Sequence, residues 1–94
     1  MNHVNDEVVM YYVYVLQSEK NGQLYIGSTK DLRKRFSQHN LGQSTWTKRS
    51  IPWKLIYYEA CLVEADARAR EKYFKSGPGR QSLTKRLKRF LSLT

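Results

Sequence analysis

Residues 11–40 read YYVYVLQSEKNGQLYIGSTKDLRKRFSQHN, and this stretch decides the fold. Tyr11–Leu16 is aromatic and β-branched throughout, a composition that favours a strand. Asn21-Gly22 tolerates the positive φ of a hairpin turn, so Leu24–Gly27 is the predicted returning strand. A glycine at the end of a strand is typical of a position where a side chain would block the close approach of another group. Asp31–Leu41 then predicts a basic helix, which completes a strand–turn–strand–helix unit.

The predicted helix turns two polar side chains toward the interior. At about 100° per residue, Leu32, Arg35, Phe36 and His39 fall on one side of it. An arginine and a histidine on the inward side of a helix need polar partners there. The first strand is apolar or amphipathic on both faces, so we also expect a sheet that is covered on both faces.

The remainder of the chain predicts one more strand and two more helices. Trp53–Ala60 is the predicted third strand and Leu62–Ser76 the second helix, whose alanines permit close packing on a sheet. Gly77-Pro78-Gly79 predicts a break, followed by a third helix over Ser82–Leu93. The expected fold is therefore α+β, with a three-stranded, largely antiparallel sheet flanked by helices in the order β-β-α-β-α-α.

Length and composition limit the class of protein. The chain of 94 residues is long enough for one domain, expected over residues 10–94 after a flexible tail at residues 1–9. The lone Cys61 excludes an intramolecular disulfide, and one cysteine with two histidines cannot build a structural zinc site. No apolar run approaches the roughly 20 residues that cross a bilayer, and no signal peptide is evident. We therefore expect a cytoplasmic protein with no membrane partner.

The charge predicts a polyanionic partner. The net charge is +9 and the pI about 9.9, and residues 75–94 contain no acidic residue. Such a surface suits phosphate contacts without base readout. Trp46 or Tyr57 could also stack on an unpaired base, although core packing is expected for Tyr57 and Tyr58. The candidates for nucleic-acid contact are Lys30, Trp46, Lys48, Arg49, Lys54, Arg80, Lys85, Arg86, Lys88 and Arg89.

Two short motifs resemble those of a known nuclease superfamily. Tyr12-Val13-Tyr14, then Tyr25-Ile26-Gly27, then Arg35 and His39 on a helix resemble the GIY-YIG nucleases, and most closely their small single-domain bacterial members. The similarity runs over about residues 10–91. Tyr12 and Val13 depart from the glycine and isoleucine of the family motif. An asparagine near the C-terminus that some members use has no evident counterpart.

The resemblance implies an activity, a cofactor and a substrate. It implies a DNA endonuclease of this element order that uses a single divalent cation, Mg²⁺ or Mn²⁺. The cation would be held by Glu71, in the helix after the third strand, where the family has a glutamate. The structure of the DNA substrate, acceptance of RNA and a protein partner for targeting are left open.

The chemistry of phosphodiester hydrolysis independently suits these residue types. Tyr14 is assigned the activation of water, with Tyr25 as a second hydroxyl, and their roles can be exchanged. A tyrosine is a poor base unless cations such as Arg35, Lys30 or a metal lower its pKa. Arg35 can fork onto phosphate oxygens. His39 can share a proton with a tyrosine or contact phosphate, and Glu71 can hold one hard cation.

Each of these residues also has a structural interpretation when taken alone. The tyrosines can be core residues, Arg35 a surface ion pair, and His39 a favourable contact with the helix dipole. Glu71 can pair with Arg68 or Lys75 at helical spacing. Three hypotheses follow: a metal-dependent endonuclease, a catalytically silent nucleic-acid-binding module, and a nuclease subunit that needs a partner for targeting.

Overall fold

The sheet and helices of the chain are seen in a computed structural model, which describes residues 8–93. Three antiparallel strands form one sheet in the order β2-β1-β3, and the predicted α+β class is confirmed. Its elements are β1 (Tyr11–Ser18), β2 (Leu24–Thr29), α1 (Leu32–Asn40), a 3₁₀ turn (Lys48–Ser50), β3 (Trp53–Cys61), α2 (Glu64–Lys75), α3 (Gly77–Arg86) and α4 (Lys88–Leu91).

All three strands run further than the sequence predicts. The prediction that β2 ends at Gly27 is wrong, because Ser28 and Thr29 continue its pairing with β1. β1 likewise continues to Ser18, whose buried hydroxyl donates to the carbonyl of Ser50 at 2.6 Å. β3 continues to Cys61, which pairs with the first residue of β1. Polar side chains are tolerated in these extensions because the backbone ladder and local hydrogen bonds satisfy them.

Both faces of the central strand β1 are buried, as predicted. On one face Val13 and Val15 pack with Phe74 of α2 and Leu83 of α3. On the other face Tyr14 and Leu16 pack with Trp53, and α1 covers them through its apolar side chains. The alternation of a strand thus assigns Tyr14 to the face that α1 covers.

The turn before β2 and the two ends of α1 are formed by residues whose local preferences are visible in the sequence. Gly22 adopts a φ of 78° in the turn between β1 and β2, a conformation that favours glycine. The Asp31 carboxylate caps α1 by accepting a hydrogen bond from the backbone N–H of Lys34 at 3.1 Å. Gly42, with a φ of 78°, follows the end of α1.

The C-terminal helices differ from the prediction. Gly77-Pro78-Gly79 does not form a break between helices but begins α3, with Ser76 as its cap accepting from the Gly79 N–H. Proline is compatible with a first helical turn, where its missing N–H would have no partner anyway. The predicted single helix over Ser82–Leu93 is also wrong, because the chain turns at Leu87 and continues as the short α4.

The N-terminal tail predicted at residues 1–9 lies outside the described residues except for Val8 and Val9. These two are exposed and belong to no strand or helix. Within residues 8–93, none of the helices has the length and apolar character needed to span a bilayer.

Alanine at position 79 should destabilise the fold. The methyl group of Gly79→Ala would overlap the backbone carbonyl of Tyr73 in α2, so α2 and α3 must separate. Overpacking of this kind costs about 1–3 kcal/mol of the free energy of unfolding. The control is Gly77→Ala in the same helix, which meets open space and should be neutral or slightly stabilising. Urea unfolding followed by circular dichroism measures both variants, and equal stabilities would contradict this packing.

Candidate active site

A buried hydrogen bond joins the central strand to the first helix. The hydroxyl oxygen of Tyr14 in β1 lies 2.8 Å from Nε2 of His39 in α1. The two side chains are 1% and 0% exposed. Leu32 and Phe36 hold α1 against this face of the sheet. The predicted inward orientation of His39 is therefore confirmed, and its polar partner is a tyrosine hydroxyl.

The glycine of the YIG motif makes room for this hydrogen bond. Gly27 pairs with Tyr14 across the two strands, and a Cβ at position 27 would lie 2.6 Å from the Tyr14 hydroxyl. Tyr25 stands two residues earlier on the same face, with its ring centroid 4.9 Å from that of His39 and 6.3 Å from that of Tyr14. The two tyrosines and the histidine thus form one cluster.

Thr47 completes the hydrogen bonding of the imidazole, and sequence reasoning missed it. Its Oγ1 lies 2.7 Å from Nδ1 of His39, and its carbonyl accepts from the indole N–H of Trp53 at 2.9 Å. Thr47 is fully buried although it sits in a polar segment without periodicity, so no local signal marks it. The hydroxyls of Tyr14 and Thr47 can each donate or accept a hydrogen bond, so their bonds to the imidazole are compatible with either neutral tautomer of His39.

Burial keeps both members of the Tyr14–His39 pair neutral. Burial raises the pKa of Tyr14 to about 12, and the nearby Arg35 guanidinium lowers it too weakly to compensate. Burial and then the positive charge of Arg35 lower the pKa of His39 to about 4. Arg35 thus acts on the pKa of Tyr14 in the direction that the sequence suggested, but loss of hydration outweighs the cation.

Arg35 links this cluster to an open cavity. It lies one turn before His39 and is half-buried, as the predicted inward orientation requires, with Nη1 donating to Gln38 at 3.1 Å. It borders a cavity of about 310 Å³ between the end of β2 and α1. Three of the six lining residues are cations, so the cavity suits an anionic group. The lining residues are Thr29, Lys30, Asp31, Lys34, Arg35 and Gln38.

Glu71 of α2 approaches the same part of β2 from the other face of the sheet. Its Oε1 accepts from the Ser28 hydroxyl at 2.6 Å, and its Oε2 pairs with Nζ of Lys75 at 2.7 Å. Consecutive side chains of a strand point to opposite faces, so Gly27 and Ser28 separate Glu71 from the Tyr14 hydroxyl. Because β2 is an edge strand, both faces meet along its open edge. Glu71 is also among the charges that act on the Tyr14 pKa.

The structure therefore brings four of the five predicted site residues onto one face and leaves the fifth on the other. Tyr14, Tyr25, Arg35 and His39 are neighbours on the face that α1 covers, and Glu71 reaches only the shared edge. Sequence reasoning also missed Ser28, whose contact with Glu71 spans 43 residues of the chain.

The chemistry of Glu71 fits a cation that is shared with a substrate. Within residues 8–93 no three His, Cys, Asp or Glu side chains form a group that could hold a metal. The Glu71 side chain is 23% exposed and can offer an oxygen to one divalent cation, and the more exposed Lys75 can move aside. Mg²⁺ is often bound through one or two carboxylates, with waters and phosphate oxygens completing its shell.

The ten residues predicted to contact nucleic acid are all exposed, but they lie on both sides of the sheet. Lys48 and Arg49 follow Thr47 in the 3₁₀ turn beside His39. On the other side, Nζ of Lys54 lies 5.7 Å from the centroid of the Phe90 ring. A role for any of the ten in nucleic-acid contact stays a prediction.

The three aromatic residues considered for stacking have different surroundings. Trp46 is 85% exposed. Tyr57 packs against the core on the side of α2 and α3, as predicted. Tyr58 is 53% exposed, so the prediction that it packs in the core is wrong. Alternation along β3 turns it to the face opposite α2 and α3.

Removal of the Thr47 hydroxyl should destabilise the protein. Thr47→Val leaves Nδ1 of the buried His39 without its partner, which costs about 1–3 kcal/mol of the free energy of unfolding. The control is Thr45→Val, the same substitution at an exposed position, which should change stability little. Urea unfolding measures both, and a Thr47→Val variant as stable as Thr45→Val would contradict a structural role for this bond.

Stability should depend on pH through His39. Because its pKa is about 4 in the folded protein and about 6.5 in an unfolded chain, the unfolded state binds more protons between these values. Stability therefore falls as pH drops from about 6.5 to 4, by at most about 1.4 kcal/mol per pH unit. In His39→Gln this dependence should weaken. His3→Gln, which removes the other imidazole, is the control, and a wild-type slope in His39→Gln would refute the assignment.

Comparison with known proteins identifies relatives of the chain. Residues 10–90 match the family model described as the GIY-YIG catalytic domain. A UPF0213 protein of Streptococcus agalactiae serotype V is 36% identical over 78% of this chain and 83% of its own length. A UPF0213 protein of Clostridium perfringens is 39% identical over 79% and 80%, and one of Bacillus licheniformis is 39% identical over 73% and 71%.

The family match spans both motif strands, the helix with Arg35 and His39, and the helix with Glu71. The relatives are similar over most of the same segment. The resemblance inferred from the two motifs is confirmed, and the chain belongs to the GIY-YIG nuclease superfamily.

Proposed function

We propose that this protein is a metal-dependent endonuclease that hydrolyses phosphodiester bonds in DNA. The observation that supports the proposal most is the buried Tyr14–His39 hydrogen bond, with Arg35 beside it on a cavity lined by cations. A phosphate group in that cavity would meet the Arg35 guanidinium, which lies next to the buried Tyr14 hydroxyl and the neutral His39 imidazole. These groups suit the transfer of a proton from water and the stabilisation of charge on phosphate oxygens.

Tyr14 relays a proton in this mechanism and does not act as a free tyrosinate. With a pKa of about 12, only about one molecule in 10⁵ would have an ionised Tyr14 at pH 7. A neutral hydroxyl avoids this cost when it accepts a proton from water as it donates its own to His39 Nε2. His39 is the acceptor at the end of the relay, because it is neutral at pH 7 and already lies 2.8 Å away.

Bound phosphate would make His39 a better acceptor. Arg35 lowers the pKa of His39 through its positive charge. A phosphate held by the Arg35 guanidinium neutralises much of that charge and adds negative charge of its own. The pKa of His39 would then rise by the part that Arg35 contributes, while burial, the larger cause, continues to lower it. Tyr25, whose ring packs against His39, offers a second hydroxyl next to this pair.

Glu71 is the proposed ligand of the divalent cation at the edge of β2. A bound Mg²⁺ or Mn²⁺ would supply stabilisation of negative charge on phosphate oxygens. The contribution of the chain is a carboxylate oriented by the Ser28 hydroxyl. Lys75 neutralises this carboxylate until a cation replaces its ammonium group.

One observation favours a second candidate function, a nucleic-acid-binding module without catalysis. Both carboxylate oxygens of Glu71 already have partners within the protein, Ser28 and Lys75. If these bonds persist when DNA is bound, the positive surface alone determines what the protein does. The same cleavage experiment separates this candidate from the nuclease.

Glu71→Gln should abolish cleavage while DNA binding persists. The substitution keeps the size and removes the charge of the proposed ligand, so we expect Mg²⁺-dependent cleavage to fall about 100-fold or more. The measurement uses labelled single-stranded, duplex, flap and junction DNA at low salt, with Mg²⁺, Mn²⁺ or EDTA. EDTA should stop cleavage by the wild-type protein.

The control for Glu71→Gln is Glu64→Gln, the same change in the same helix at an exposed glutamate paired with Arg68. It should cleave as the wild type does. Equal cleavage by Glu71→Gln and Glu64→Gln would contradict the role of Glu71. Wild-type protein that binds every substrate and cuts none with either metal would instead support the silent module.

A further inference from the structure

A second open cavity adjoins the one that Arg35 borders. It has a volume of about 300 Å³ and lies between the N-terminal turn of α1 and the sheet. The two cavities share Lys30 and Asp31 in their linings, so one extended ligand could occupy both of them. The lining residues are Tyr12, Lys30, Asp31, Leu32, Arg33 and Tyr58.

Two tyrosines give this cavity an aromatic wall next to Tyr14. Tyr58 in β3 is the cross-strand partner of Tyr14, and Tyr12 lies two residues before it in β1, so all three share one face of the sheet. The Tyr12 and Tyr58 rings meet edge to face, with centroids 5.9 Å apart and planes at 64°. Tyr58 is 53% exposed, so its neighbour holds the ring in place and leaves much of it open to solvent.

The cations of this cavity are available to a phosphate. Lys30 and Arg33 are exposed, and among residues 8–93 neither has a carboxylate within ion-pair distance. Asp31 is the one acid in the lining, and its carboxylate accepts the hydrogen bond that caps α1. An open aromatic ring beside free cations matches the two parts of a nucleotide, a base with a π face and a charged backbone.

We propose that this cavity binds the unstacked nucleobase of the nucleotide next to the phosphate held at Arg35, in unpaired DNA. Tyr58 provides the stacking surface, Tyr12 supports its ring, and Lys30 and Arg33 contact the backbone. The position of that phosphate rests on the proposed function. The occupant is unpaired because bases inside a duplex have their faces covered by neighbouring bases.

The test compares Tyr58→Leu with the ring-conserving control Tyr58→Phe. Each variant and the wild type are titrated, in EDTA and at low salt, into dye-labelled hexathymidylate and into an abasic hexamer with the same phosphates. Fluorescence anisotropy reports binding, and circular dichroism checks the fold. Because EDTA prevents metal-dependent cleavage, the result does not depend on activity.

Stacking on Tyr58 has a specific signature in this comparison. The affinity of Tyr58→Leu for hexathymidylate should fall about 5- to 150-fold, while its affinity for the abasic hexamer should not change. Tyr58→Phe should bind both ligands as the wild type does. The proposal is overturned if Tyr58→Leu keeps its affinity for hexathymidylate, weakens toward both ligands equally, or if the wild type binds neither. A wild type that shows the signature yet never cleaves DNA refutes the proposed function and leaves this binding site standing.

Discussion

The hydrogen bond between the Tyr14 hydroxyl and His39 Nε2 is the contact on which the rest of the site depends. Both groups are buried, and a buried polar group without a partner is costly. The bond continues through Nδ1 to Thr47, so one chain of polar atoms ties β1, α1 and the following loop together. Gly27 is necessary to this arrangement because any larger residue would displace the Tyr14 hydroxyl.

Burial of this chain of hydrogen bonds also sets the protonation states of Tyr14 and His39. It raises the pKa of Tyr14 and lowers that of His39, so both are neutral in a strongly basic protein. Arg35 can hold an anion without an ionised tyrosine beside it, and a substrate phosphate would offset the charge that makes His39 a weak acceptor. Desolvation, more than the surrounding cations, therefore sets the resting state of the site.

The position of Glu71 depends on a different set of contacts. Arg70, the residue before it, forks onto Glu59 of β3 with distances of 2.9 and 3.0 Å and lies over the ring of Phe74. This pairing lowers the pKa of the Glu59 carboxyl and attaches α2 to the far edge strand. With the rotation of α2 restrained in this way, Glu71 faces Ser28 at the opposite edge. The sheet thus separates Tyr14 and His39 from the proposed cation ligand.

The sequence by itself determined the strands, the helix with Arg35 and His39 on one side, and the family, because periodicity, turn residues and short motifs are local. The bounds of the strands were missed because ladder pairing overrides local preference. The start of α3 was missed because proline, which breaks a helix in its interior, is tolerated in a first helical turn. Only the tertiary structure decided that Thr47 is the partner of His39, that Ser28 is the partner of Glu71, and that Tyr58 is exposed. Those outcomes arise from contacts between distant segments and from the order of strands in the sheet, which no local pattern encodes.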